Sequence, residues 1–244
     1  MDTGVLTGKA AGMARSLSGF SAFMTDSTWA RRRGEPGIAD FTFGNPHDLP
    51  LPGVVDAIRG AAVPHAADWY AYKMSEPQAQ AAAAASLSTW YDLEFDPADI
   101  AMTTGGFAAL AVALNTLCEA GDEVIFSLPP WFFYEPLVLQ AGAVPVTVPI
   151  DPLTFDLDLA AIEAAITPRT RAIIVNTPHN PTGRVYPPKT LRLLAGLLSS
   201  ASARNGRPIY IISDEPYNRL VFDGKRPSTP AAYYPQTLIC YSYG

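Results

Sequence analysis

Cysteine is scarce in this chain: two residues, Cys118 and Cys240, stand far apart in 244. That excludes a disulfide framework and fits reduced thiols in a cytoplasmic protein. Histidine is scarcer than in most metal proteins: His47, His65 and His179 are scattered, with no cysteine or carboxylate at ligand spacing, so no metal site is expected. Basic residues are outnumbered, 17 Lys and Arg against 23 Asp and Glu, for a net charge of −6. Nucleic acid is therefore not an expected partner, because phosphate-backbone binding needs a basic footprint. A small anionic ligand is not excluded, since a few local donors hold a phosphate whatever the net charge. No apolar run approaches the roughly 20 residues of a membrane span. The opening stretch, "MDTGVLTGKAAGMARSLSGF", has no continuous apolar segment and does not read as a signal peptide. It reads as an arm that docks on the rest.

What is present is a globular composition, 48% hydrophobic and 16% charged. From residue 78 onward helical and strand patterns alternate. "QAQAAAAASLSTWY" (78–91) is a helix former through its alanines. Phe107, Leu110, Ala111, Leu114, Leu117 and Cys118 recur at helical spacing. Gly121 closes that segment, and "EVIFSL" follows as a buried strand. "VPVTVPI" (strand), "DLAAIEAAI" (helix), "RAIIVNT" (strand), "PKTLRLLAGLLSSASARNG" (helix), "PIYIISD" (strand) and "TLICYS" (strand) continue the pattern. Such alternation predicts an α/β fold, a three-layer α/β/α sandwich around a mostly parallel sheet. Ligands of such sheets bind beyond the carboxyl ends of the strands. Here those ends carry Trp131, Asn180, Asp214 and Ser242.

Three short stretches have chemistry of their own. "TTGGF" (103–107) places two glycines before an apolar helix, leaving backbone N–H groups and a helix dipole free for a phosphate; alone, it also reads as a tight turn. In "NTPHNPTG" (176–183) proline and glycine stiffen a turn that holds Asn180 at a strand end, either to bind a ligand or to bond its own turn. "SDEPYNRLVFDG" (213–224) puts a carboxylate, Asp214, where it would suit a cationic partner or cap a turn, with Tyr217 three residues on.

Taken together and in this order, from about Asp40 to Gly244, these pieces resemble the aspartate-aminotransferase-like family, the class I/II aminotransferases of fold type I. The resemblance implies pyridoxal 5'-phosphate as cofactor. It matches Gly105, Gly106 and Phe107 to the loop that holds the cofactor phosphate, and Ser242 to a serine on the same phosphate. Trp131 matches the aromatic that stacks on the ring, Asn180 and Tyr217 the pair that shares the phenolic oxygen, and Asp214 the carboxylate that keeps the ring nitrogen protonated. Asp214 and Tyr217 are thereby the catalytic candidates within the chain. Tyr70, in "DWYAYKMSEP", matches a tyrosine that reaches the neighbouring subunit's cofactor, which implies a homodimer. Gly44 matches a glycine against the substrate carboxylate, so Gly44, Trp131 and Asn180 are the substrate-binding candidates. The family's Schiff-base lysine follows this serine by three residues, a position immediately after Gly244, and a longer protein carrying that lysine and a substrate-clamping arginine is expected.

By the same resemblance, residues 1–50 are an N-terminal arm and small-domain segment, and 51–244 a cofactor-binding large domain. The implied reaction moves an amino group between an L-amino acid and a 2-keto acid, with aspartate-like or general specificity. A C–S or cyclising lyase on the same scaffold, or a non-catalytic cofactor-binding sensor, are the alternatives. The chain departs from the family in "AYKMSEP", where Gly and Pro are frequent, and at Gly244, where serine is common; both bear on substrate more than on cofactor.

Overall fold

Four aliphatic runs and one shorter one build the centre of the molecule. They are β1 (Glu123–Leu128), β2 (Val144–Pro149), β3 (Thr170–Asn176), β4 (Tyr210–Asp214) and β5 (Thr237–Cys240). The computed structural model describes residues 5–44, 48–224, 226 and 228–243, so His47 and Gly244 lie outside the described residues. The five strands form one sheet in the order β2-β1-β3-β4-β5, every neighbouring pair parallel. The registers pair Asn176 with Asp214, and Asp214 with Cys240, so the chemistry-bearing ends of β3, β4 and β5 finish side by side.

Side-chain alternation explains the layers. Ile125, Ile173, Val175 and Ile211 face one side, against α8 (Leu159–Ala165) and α9 (Pro188–Asn205), where Ile162, Leu191, Leu194 and Leu198 are buried. Val124, Phe126, Ala172, Ile174 and Ile212 face the other side, against α6 (Gly106–Leu117) and α7 (Tyr134–Gln140). The expected three-layer α/β sandwich is therefore present. Helix α9 ends where Gly206 takes a left-handed conformation, φ 66°, as its place after the periodic run predicts.

The lower edge of the sheet is tied by ion pairs. Arg207 grips Asp122 through two bonds, Nη1–Oδ1 2.9 Å and Nη2–Oδ2 3.1 Å. Burial works to raise the Asp122 carboxyl, but Arg207, the Glu119 N–H and the Arg171 charge together hold it below the usual range. Arg169 likewise donates to Glu123 at 2.5 Å.

Towards the amino end lie α1 (Gly8–Ser16), α2 (Ser18–Asp26), α3 (Thr28–Arg32), α4 (Pro52–Ala61) and α5 (Pro77–Tyr91). Helix α1 packs on α7, and Lys9 Nζ donates to the Gln140 carbonyl at 2.8 Å. On α2, Phe20 stacks on Phe132 with ring centroids 4.2 Å apart. Helix α4 buries none of its residues, and Phe41, Leu49, Leu51, Ile58, Tyr72 and Met74 nearby are exposed. Among the described residues no helix is long and apolar enough to cross a membrane.

Candidate active site

The segments that follow β1, β3, β4 and β5 at the carboxyl edge of the sheet each contribute a side chain to one region. Before α6, Gly105 sits at φ 85°, ψ 172°, a conformation open in practice to glycine, and no side chain caps the helix. The first N–H groups of α6 are therefore free to face an anion. A Cβ placed on Gly106 would lie 3.8 Å from that of Ser242, so the serine after β5 stands beside the same helix start.

After β1 the chain turns through Pro129 and Pro130 into Trp131. The indole meets the Phe107 ring edge-on at 5.7 Å and the Tyr134 ring at 5.5 Å, which fixes its plane next to the helix start. The turn after β3 is tied by its backbone: Gly183 N–H donates to the His179 carbonyl at 2.7 Å, and His179 N–H to the Arg184 carbonyl at 2.8 Å. Asn180 N–H donates to Asn176 Oδ1 at 2.6 Å, so the turn holds Asn180 without engaging its side chain. The Asn180 amide points to Tyr217 instead, Nδ2 to Oη 3.4 Å. Of the two readings of this residue, the structure favours a side chain presented outward over one bonded to its own turn.

Asp214 ends β4 and is 6% exposed. Burial pushes its carboxyl up to about 6, opposed by the Tyr134 hydroxyl, which donates to Oδ2 at 2.5 Å. Asn176 Nδ2 donates to the Asp214 carbonyl at 2.9 Å and stands 3.4 Å from Oδ2. The next residue, Glu215, turns away and is fully buried, accepting from Ser213 Oγ and Thr229 Oγ1 at 2.7 Å each and from the Tyr91 hydroxyl. Two adjacent carboxylates thus have different partners: Asp214 meets Tyr134 and Asn176, while Glu215 ties α5, β4 and the 229 loop.

Seven of the expected residues, Gly105, Gly106, Phe107, Trp131, Asn180, Asp214 and Tyr217, come together with Ser242 at this edge. Gly44 makes no described contact with them; its neighbour Phe43 packs edge-on to Phe20, which stacks on Phe132. Tyr70 does not join them; it is 73% exposed and its hydroxyl donates to the Ala62 carbonyl. Asn176 and Tyr134 were not singled out from sequence. The pointer to Tyr134 was its place three residues after the stacking aromatic.

The residues fit pyridoxal phosphate chemically. An uncapped helix start suits a phosphate, an indole suits a flat ring, and an amide–phenol pair suits an acidic ring hydroxyl. A buried carboxylate whose perturbing neighbours include no cation suits a protonated ring nitrogen.

The family profile for aminotransferase class I and II matches residues 36–244. The probable aspartate/prephenate aminotransferase of Thermus aquaticus is 36% identical over 210 residues, 86% of this chain and 52% of the relative. The probable N-succinyldiaminopimelate aminotransferase of Mycobacterium tuberculosis (strain ATCC 25618 / H37Rv) is 40% identical over 148 residues, 59% of this chain and 36% of the relative. Among solved structures, an amino transferase from Eubacterium rectale superposes with a TM-score of 0.79 at 33% identity, covering 98% of this chain and 59% of that one. The chain spans about half the length, or less, of the curated relatives it matches.

Proposed function

This chain belongs to the class I and II aminotransferases, and on that premise we propose that the protein moves an amino group between an L-amino acid and a 2-keto acid with pyridoxal 5'-phosphate. The observation that carries the reading is Asp214: a buried carboxylate at a strand end, raised by burial and without a protein cation, beside an uncapped helix start. When bound, the cofactor supplies an electron sink that eases removal of the proton on the α-carbon of an amino acid.

The chain's own residues supply position and charge. Gly105, Gly106, Phe107 and Ser242 hold the phosphate. Trp131 covers one face of the ring and excludes water. Asn180 and Tyr217 orient the phenolic oxygen, and Asp214 keeps the proton on the ring nitrogen. Gly44, with Trp131 and Asn180, borders the substrate. Residues 1–50 serve as arm and small-domain segment, and 51–244 as the cofactor-binding large domain.

A homodimer is supported by the exposed apolar side chains between Phe41 and Met74 and by Tyr70, which lies on the surface away from this chain's own site. A cytoplasmic setting is supported by two free, buried cysteines. The names of the relatives support an acidic or dicarboxylic amino donor and favour amino transfer over elimination. The test uses the full-length protein with pyridoxal phosphate and aspartate. Keto acid should form when 2-oxoglutarate is added as acceptor. Turnover that releases ammonia without any acceptor overturns the proposal.

A substitution at the helix start separates cofactor binding from folding. An alanine Cβ at 106 meets its neighbours at 3.8 and 3.9 Å, ordinary contact, and helix position favours alanine over glycine. Gly106→Ala should therefore melt within a few degrees of the parent, or above it. Its cofactor dissociation constant should rise about tenfold or more, because the methyl occupies the approach to the helix-start donors. Fluorescence titration with pyridoxal phosphate checks both the affinity and, with a thermal ramp, the stability.

A further inference from the structure

The Asp214 carboxylate is held asymmetrically. Both side-chain donors that reach it, Tyr134 Oη at 2.5 Å and Asn176 Nδ2 at 3.4 Å, end on Oδ2. Among the described residues none donates to Oδ1, which leaves that oxygen for a ligand. We propose that Tyr134 is a positioning residue for Asp214: its hydroxyl takes up one carboxylate oxygen and presents the other, ionised, to the basic ring nitrogen of the cofactor. The inference rests on the cofactor reading given above.

Tyr134 is built for this role. It is the first residue of α7 and 3% exposed; its ring is held edge-on by Trp131 and packs at 6.0 Å on Phe126 of β1. The hydroxyl therefore has one place to go. Burial, then the Asp214 charge, push the phenol well above its ordinary range, so it stays a donor. The other titratable groups coupled to this pair are Tyr186, Tyr217 and, from β5, the Cys240 thiol, which burial pushes up to about 12. Burial raises both Tyr186 and Cys240, so these two are neutral near pH 7. Glu215 is turned to its own donors, and none of the neighbours that perturb Asp214 is a lysine, arginine or histidine. With no cation to help, the tyrosine hydroxyl is the contact that opposes burial.

The test uses the full-length protein with Tyr134→Phe, which keeps the ring packing. Without cofactor, carboxyl-carbon NMR follows the titration of Asp214. Loss of a hydrogen bond to a charged group should move its midpoint up by about one pH unit or more. With pyridoxal phosphate labelled at the ring nitrogen, the 15N resonance at pH 7 should shift toward the unprotonated position. A purely structural tyrosine would lower the melting temperature and move neither signal. An unchanged Asp214 midpoint in a folded variant that still takes up the cofactor overturns the role of Tyr134 alone. Failure of the parent protein to take up pyridoxal phosphate overturns the functional reading and the role with it. If Tyr134→Phe does not fold, 3-fluorotyrosine at position 134, a stronger donor, decides: the Asp214 midpoint should fall, and no shift overturns the proposal.

Discussion

Asp214→Asn should cost the full-length enzyme on the order of 10²–10³-fold in amino transfer while making the cofactor-free protein more stable. The loss follows from charge: asparagine keeps the shape and the Tyr134 contact but cannot hold a proton on a ring nitrogen. The gain follows from burial. The folded-state value of Asp214, about 6, lies above that of an unfolded aspartate, so the folded protein binds more protons between the two. The residue's contribution is therefore most favourable at low pH, declines as pH rises through about 6, and stays unfavourable above. The stability gain of the variant should be absent near pH 4 and reach on the order of 1–2 kcal/mol at pH 8. Thermal unfolding of the cofactor-free protein at both pH values reads the gain, and steady-state turnover reads the loss. Equal stability at pH 8 would mean that the carboxylate is already compensated.

Glu215→Ala should do the reverse. The Glu215 carboxyl is 1% exposed and accepts from Ser213, Thr229 and Tyr91. Truncation leaves two buried hydroxyls and one half-buried hydroxyl without an acceptor and opens a cavity between α5 and β4. Each unsatisfied donor costs about 1–3 kcal/mol, so a loss of about 3–5 kcal/mol is expected, a fall in melting temperature of roughly 10 °C. Molecules that remain folded should take up the cofactor as before. Glu215→Gln, which keeps an acceptor oxygen, should lose less than half as much. Chemical denaturation of the full-length protein measures both.

The contrast between these neighbours shows where a linear reading stops. Strands and helices from Pro77 on were legible because their periodicity is local, and the Gly105–Gly106 seat because a glycine pair before a helix is local too. Helix α7 was not: seven residues with Pro136 in the first turn, after an aromatic run, resemble a loop. The pairings that define the site join residues 38 and 80 positions apart, Asn176 and Tyr134 to Asp214, and no local pattern announces them. The resemblance singled out Asp214 over its neighbour Glu215, but no local pattern gives the reason; the donors around each carboxylate do. The three helices of the first 32 residues were read as an arm, and the seat of α1 on α7 came from tertiary contacts alone.

A sheet whose strands all run one way has a front and a back. The front carries the ligand-facing side chains; the back carries the Asp122–Arg207 and Glu123–Arg169 clasps and the exposed turn around Gly206. One strand, roughly 15 Å, separates them. A fluorophore or affinity handle grafted at Arg204 would therefore report on the molecule without standing in the path of substrate. Natural lineages have the same latitude: they can retune specificity at the front while the clasps behind remain untouched.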